Sequence, residues 1–273
     1  MNPQQLDVAE LAALIPDGSQ IVIPPDYSGC AMEVVRRLIA RGIRDLHLVG
    51  APTGGFQADM LIGAGCVATL EVAAVTLGEY GPPGRFAAAV KAGEIRLRDS
   101  TCPAIHAAMQ AAEKGIPFIP LRGVIGSDIL KNRPDWKVIE NPFAEDGPDP
   151  ILLLPAIRPD FALFHARAAD RNGNVWIGVR RELMLMAHAA RRTLVTVERV
   201  EDRDFLADEA MAAGTIPALY IEALAQVPDG AWPVGLAGAY PPDERALAAY
   251  AAAALDDADF ARWLEGVRTP EPA

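Results

Sequence analysis

Short apolar runs alternate along this chain with segments whose apolar positions recur every three to four residues. The run at 20–23 predicts a strand. After it, Met32, Val35, Leu38 and Ile39 fall on one face of a helix predicted over 31–40 and closed by Gly42. A second strand is predicted at 46–49, and Thr53-Gly54-Gly55 then opens a loop into a short helix ending at Gly63. Further strands are predicted at 67–70, 72–77, 95–97 and 117–121, with helices at 85–91 and 104–114 between them. Beyond residue 150 the pattern resumes with strands at 151–154, 161–165, 175–177 and 193–200 and a helix at 181–190. A short helix is predicted at 5–14 and an Ala-rich helical tail at 243–267. Strands that read as continuous apolar runs and alternate with amphipathic helices define α/β architecture, with a mostly parallel sheet flanked by helices. One continuous domain over 1–273 is expected, with an irregular excursion at 131–150, where Pro, Asp, Asn and Glu accumulate.

Composition adds exclusions. The 273 residues are 51% hydrophobic and 22% charged, as in an ordinary globular chain. Twenty-five Lys and Arg against 36 Asp and Glu give a net charge of −11, which argues against a nucleic-acid or anionic-membrane binder but leaves room for a small anion held by local dipoles. Cys30, Cys66 and Cys102 form no CxxC and sit in no Cys/His cluster, so neither a disulfide framework nor a metal site is expected. The longest apolar stretch, 60–78, carries Glu71 and several Gly and Thr residues, and reads as strands rather than a membrane span. The first residues lack a basic stretch before an apolar core, so a cytoplasmic protein is expected.

Candidate chemistry gathers where strands run into helices, because a helix N-terminus presents unpaired N–H groups and a positive dipole end. Ser28 and Gly29 stand in the loop after the first long strand, and Thr53, Gly54 and Gly55 in the loop after the next. The adjacent glycines would let backbone approach a ligand, or would serve turn geometry alone. Ser100, Thr101 and Cys102 precede Pro103, where a Ser or Thr also suits a helix cap and Cys102 could be a thiolate nucleophile. Glu79, among glycines, could be a carboxylate nucleophile or base or simply an exposed loop residue. His165 and Asp170 could pair as acid and base, whereas His106 and His188 read as packing residues in Ala-rich helices.

Several segments, taken in order, carry a resemblance. Asp17-Gly18-x-x-Ile21-Val22-Ile23, the run Met32–Ile39, Gly42–Val49, Gly63-Ala64-Gly65, Lys114-Gly115-Ile116-Pro117-Phe118 and the turn Ala169-Asp170-x-x-Gly173-Asn174 together resemble the A (alpha) subunit of family I coenzyme A transferases, ketoacid- and glutaconate-type. The alpha subunits of steroid-ring-opening CoA hydrolases are related. The resemblance implies a transferase that moves coenzyme A between an acyl-CoA and a carboxylate, with the coenzyme A thioester as substrate and no permanently bound cofactor. It also implies that the glutamate nucleophile lies on a partner B subunit, so that no catalytic residue is assigned to this chain. The candidates above would then line the substrate or supply oxyanion donors. Two departures stand out: Pro24-Pro25-Asp26-Tyr27-Ser28-Gly29 replaces the family's Gly-Gly-Phe loop, and Cys102 stands where relatives have Gln or Glu. A CoA-thioester or ring-opening hydrolase subunit and a non-catalytic small-molecule-binding domain remain the alternatives.

Overall fold

The computed structural model describes residues 3–268, with Arg268 described by its backbone alone. The first half runs β1 (Gln4–Gln5), α1 (Val8–Ala13), β2 (Gln20–Ile23), α2 (Met32–Ala40), β3 (Leu46–Gly50), α3 (Phe56–Gly63), β4 (Val67–Val72), α4 (Gly84–Ala92), β5 (Arg96–Asp99) and α5 (Cys102–Glu113). It continues through β6 (Phe118–Leu121), α6 (Ile129–Asn132), β7 (Lys137–Glu140), β8 (Pro150–Pro155), β9 (Phe161–Asp170), β10 (Val175–Trp176), α7 (Arg181–Ala189) and β11 (Arg192–Glu201). The last elements are α8 (Glu209–Ala212), β12 (Thr215–Ile216), β13 (Ala223–Gln226), α9 (Glu244–Ala253) and α10 (Asp257–Arg268).

The main sheet has the order β1-β13-β11-β9-β2-β3-β4-β5, parallel at every step, with a β10–β12 ribbon antiparallel to the end of β9. Its central strands are largely apolar on both sides because both faces are covered, whereas the edge strands β1 and β5 are polar. Ile21 and Ile23 of β2 pack with α1, α2, α3 and α9, whereas Val22 faces the layer of α5 and α7. α2 shows how sequence gives this packing: Met32, Val35, Leu38 and Ile39 fall on its inward face and are fully buried, each worth roughly 1.5–3 kcal/mol of transfer free energy. α9 is tied in by a polar link, since the Tyr250 hydroxyl donates to Asp59 at 2.8 Å and the carboxylate also accepts the Phe86 N–H at 2.7 Å.

The α/β architecture agrees with the expectation from the apolar pattern; several elements do not. Residues 72–77 do not make a second strand, because their backbone bonds to the 52–54 loop: Gly54 N–H donates to Ala74 O at 2.9 Å and Thr76 N–H to Gly54 O at 3.1 Å. The strand at 118–121 leaves the main sheet for an antiparallel one, β6-β8-β7, where it is an edge; Pro120 has no N–H to give to a central position. The excursion at 131–150 is less irregular than expected, since it holds β7. The tail divides into two helices, and the N-terminal helix starts at Val8 behind an Asp7 capping box. Strand β13 has no counterpart among the predicted elements.

Candidate active-site crevice

In an open parallel sheet, ligands bind beyond the carboxyl ends of strands where the winding reverses. Here that point lies between β2 and β9: the chain builds outward from β2 through β3, β4 and β5, then returns to lay β9 against the other side of β2. The two strands pair only at Ile21–Phe161 and Val22–Ala162 before β2 ends and its loop splays away. A cavity of about 270 Å³ opens at that divergence, lined by Tyr27, Ser28, Gly29, His165, Arg167 and Arg180 among others.

Gly29 fixes the loop. Its N–Cα torsion is +89°, and its carbonyl accepts the His165 N–H at 2.8 Å. A Cβ built there would lie 2.1 Å from the His165 carbonyl oxygen. Ser28, buried beside it, donates its hydroxyl to Glu182 of α7. A carboxylate is too weak a base to ionise a serine, so the contact orients Ser28 without activating it.

Beneath the cavity, His165 is fully buried with Nδ1 2.7 Å from Thr196 Oγ1 and Nε2 2.6 Å from Glu198 Oε1. Glu198 also accepts the Asp229 N–H at 2.8 Å and the Tyr240 hydroxyl at 2.9 Å, and that hydroxyl accepts the Ala231 N–H. Burial alone would raise the Glu198 carboxyl, but these donors and the His165 charge outweigh it and hold the group below its ordinary value. Burial, with the Glu198 carboxylate beside it, pushes the Tyr240 phenol up.

A second cleft of about 340 Å³ shares Tyr27 with the first and is lined by Asp26, Thr53, Gly54, Gly55 and Glu79. Here the loops after β2 and β3 are stitched together. Asp26 accepts the Phe56 N–H at 3.0 Å, and a Cβ on Gly55 would fall 2.0 Å from the Asp26 carboxylate. Gln57 donates to Pro24 O at 2.5 Å and to Cys30 Sγ at 2.9 Å. Gly54 is equally confined, with a built Cβ 2.8 Å from that of Ala58. The glycine pair thus admits neighbours from within the fold as well as bordering the cleft.

Burial pushes Asp26 from 3.8 up to about 6, against the opposing pull of the Phe56 N–H and the Cys30 thiol. The folded state therefore holds this proton more tightly than the unfolded chain, and Asp26 adds stability as pH falls from above 6 towards 4. Asp26→Asn should remove that increment: urea unfolding at pH 5 and pH 7.5 should show a pH dependence smaller by about 1–2 kcal/mol in the variant. An identical dependence in both proteins would refute the assignment.

The predicted site residues thus divide. Ser28 and Gly29 lie in the crevice, with Thr53, Gly54, Gly55 and exposed Glu79 in the adjoining cleft. Ser100, Thr101 and Cys102 line neither cavity. They sit at the end of β5, with Thr101 capping α5 by accepting the Ala104 N–H at 3.3 Å and Cys102 exposed as the first helical residue. His165 and Asp170 do not pair; Asp170 instead accepts the N–H groups of Asn172, Asn174 and Phe205, each at 2.9 Å. Sequence reasoning missed Asp26, Arg167, Arg180, Glu182, Glu198 and Tyr240. The parallel pairing of β9 with β11, which sets His165 beside Thr196, is the signal that would have exposed the His165–Glu198 pair.

A doubly covered parallel sheet with a crevice at its reversal point is the frame of many α/β enzymes, and comparison with known proteins narrows the class. Residues 6–226 match the family model for coenzyme A transferase, and the chain belongs to that family. It is similar to the A subunit of 3-oxoadipate CoA-transferase from Pseudomonas knackmussii, with 33% identity over 84% of this chain and 80% of that protein. It is also similar to the A subunit of glutaconate CoA-transferase from Acidaminococcus fermentans, with 30% identity over 83% and 75%. Among solved structures, a cysteine-to-serine variant of the decarboxylase AibA/AibB superposes with a TM-score of 0.85 at 30% identity, covering 98% of this chain and 99% of that one. Among the described residues no helix is long and apolar enough to cross a membrane.

Proposed function

We propose that this chain is the A-type subunit of a heteromeric coenzyme A transferase, walling the acyl-binding crevice while a partner B subunit supplies the glutamate nucleophile. The observation that carries this reading is the make-up of the crevice within a chain of this family. It presents groups that bind and orient, namely Ser28 tied to Glu182, two arginines and the exposed ring of Tyr27, and its serine is paired with a carboxylate instead of an imidazole. Transfer through an acyl-enzyme needs a free nucleophile and donors for a tetrahedral oxyanion. On this reading the Ser28–Gly29 and Thr53–Gly55 loops border the thioester, and Ser100, Thr101 and Cys102 lie towards the partner. Coenzyme A enters as the acyl thioester and leaves as the new one, so no resident cofactor is required.

The similarity to two transferase A subunits favours transfer over hydrolysis, and family membership favours turnover over a purely sensory role. Decarboxylation is the second reading, because the AibA/AibB likeness spans nearly both whole chains. One assay separates them: the chain, alone and co-expressed with a B-type subunit, is given a panel of acyl-CoA donors and carboxylate acceptors. We expect exchange into the acceptor only with the partner present. Robust transfer by the isolated chain overturns the division of labour, free coenzyme A without acceptor indicates a hydrolase, and carbon dioxide release indicates a decarboxylase.

A further inference from the structure

We propose that Arg167 and Arg180 form an anion subsite in the crevice that holds the free carboxylate of a dicarboxylic acyl group, an inference that rests on the reading above and names its substrate class. Both residues line the same cavity of about 270 Å³. Neither is paired with a carboxylate among the described residues, although the chain holds 36 acidic residues against 25 basic ones. Elsewhere that surplus is used: Arg36 lies 2.9 Å from Glu33, Arg98 2.7 Å from Asp135 and Arg133 2.8 Å from Glu71. The acids that contact the crevice residues are engaged elsewhere: Glu182 by the Ser28 hydroxyl and Glu198 by His165.

Each arginine is held by a ring, which leaves its N–H edge free for an anion. The Arg167 guanidinium carbon stacks 3.8 Å from the centre of the Trp176 ring, and that of Arg180 lies 5.2 Å from the centre of Tyr27. Arg167 is further confined by backbone: a Cβ on Gly238 would lie 2.4 Å from its Nη1, and one on Gly178 3.2 Å from its Nη2. Burial and the neighbouring Arg199 charge both disfavour its cation, a penalty that a bound anion would relieve. A planar, pre-positioned guanidinium suits the two parallel hydrogen bonds of a carboxylate. The cavity accommodates a short acyl chain and is smaller than the roughly 300–1,000 Å³ typical of sites for larger ligands. An acyl group bound in this cavity would therefore present a terminal carboxylate to the arginines.

The test uses N-acetylcysteamine thioesters, which carry the acyl group without the phosphates of coenzyme A. Glutaryl and pentanoyl thioesters, equal in chain length, are titrated by calorimetry into the full chain, alone and co-purified with its partner. The glutaryl thioester should bind at least ten-fold more tightly. Arg167→Gln and Arg180→Gln should each weaken it by about 10- to 100-fold, as expected for a charge-assisted hydrogen bond, with the pentanoyl affinity unchanged. Because the two arginines rest on different rings, Trp176 and Tyr27, misfolding of one variant leaves the other as the test. Equal affinities for the two thioesters, indifference to both substitutions, or displacement of the glutaryl thioester by ADP would overturn the proposal. The readout is binding, so its failure is distinct from that of the transferase reading. Arginine-dependent glutaryl binding without transfer refutes only the latter, and transfer from glutaryl-CoA that ignores both arginines refutes only the subsite.

Discussion

Gly29→Ala should cost about 3 kcal/mol of folding stability and remove activity from the assembled enzyme. Two effects add. A left-handed backbone costs an L-residue about 1–2 kcal/mol, and Gly29 sits at +89°. The new methyl would also overlap the His165 carbonyl, 2.1 Å away, so the loop could keep neither its conformation nor its bond to the His165 N–H without moving. Movement there reopens the junction of β2 and β9 and displaces Ser28. Gly18 provides the internal control, since its torsion is +74° with nothing within 4 Å of a built Cβ. Gly18→Ala should therefore show the conformational cost alone. Denaturant unfolding of both variants decides the matter: a Gly29→Ala penalty no larger than that of Gly18→Ala would contradict the close-approach argument.

Glu198→Ala should cost about 2–4 kcal/mol, because one carboxylate satisfies His165, Tyr240 and the Asp229 N–H together. Truncation leaves Nε2 of a fully buried imidazole without its partner and frees the 229–240 segment from Glu198 of β11. The sign with pH follows from the lowered Glu198 carboxyl. Its contribution is present above the ordinary glutamate range and is lost as pH falls through the depressed folded-state value. The stability gap between wild type and variant should thus shrink in acid. A gap below about 1 kcal/mol at neutral pH, measured by thermal or denaturant unfolding, would show the network to be dispensable.

Much of this frame is legible in the sequence, because strands and helices differ in period. Residues 20–23 and the helix after them read correctly from apolar spacing, and the loops after β2 and β3 are marked by their prolines and glycines. What cannot be read is which strand ends become neighbours. β9 extends to Asp170 through Ala166, Ala168 and Ala169, residues of low strand propensity that form strand because they are buried against β11, the last two also pairing with β10. β13, Ala223–Gln226, escapes the pattern for the same reason. The crevice exists only where β2 and β9 part, so Arg167 and Arg180 read along the chain as surface charges. Likewise His165 and Glu198, 33 residues apart, meet through strand register. Cys102 shows the opposite case: its neighbourhood reads correctly as a strand end entering a helix, yet the fold sets it outside both cavities of this chain.

The division of labour between the two subunits is tested most directly by finding where coenzyme A becomes attached. The assembled enzyme is incubated with an acyl-CoA in the absence of acceptor, quenched, digested and analysed by mass spectrometry for a coenzyme A thioester adduct. The account predicts the adduct on a glutamate of the partner subunit and none on this chain. An adduct on Glu79, or an acyl group carried by Cys102, would place the nucleophile here and contradict it.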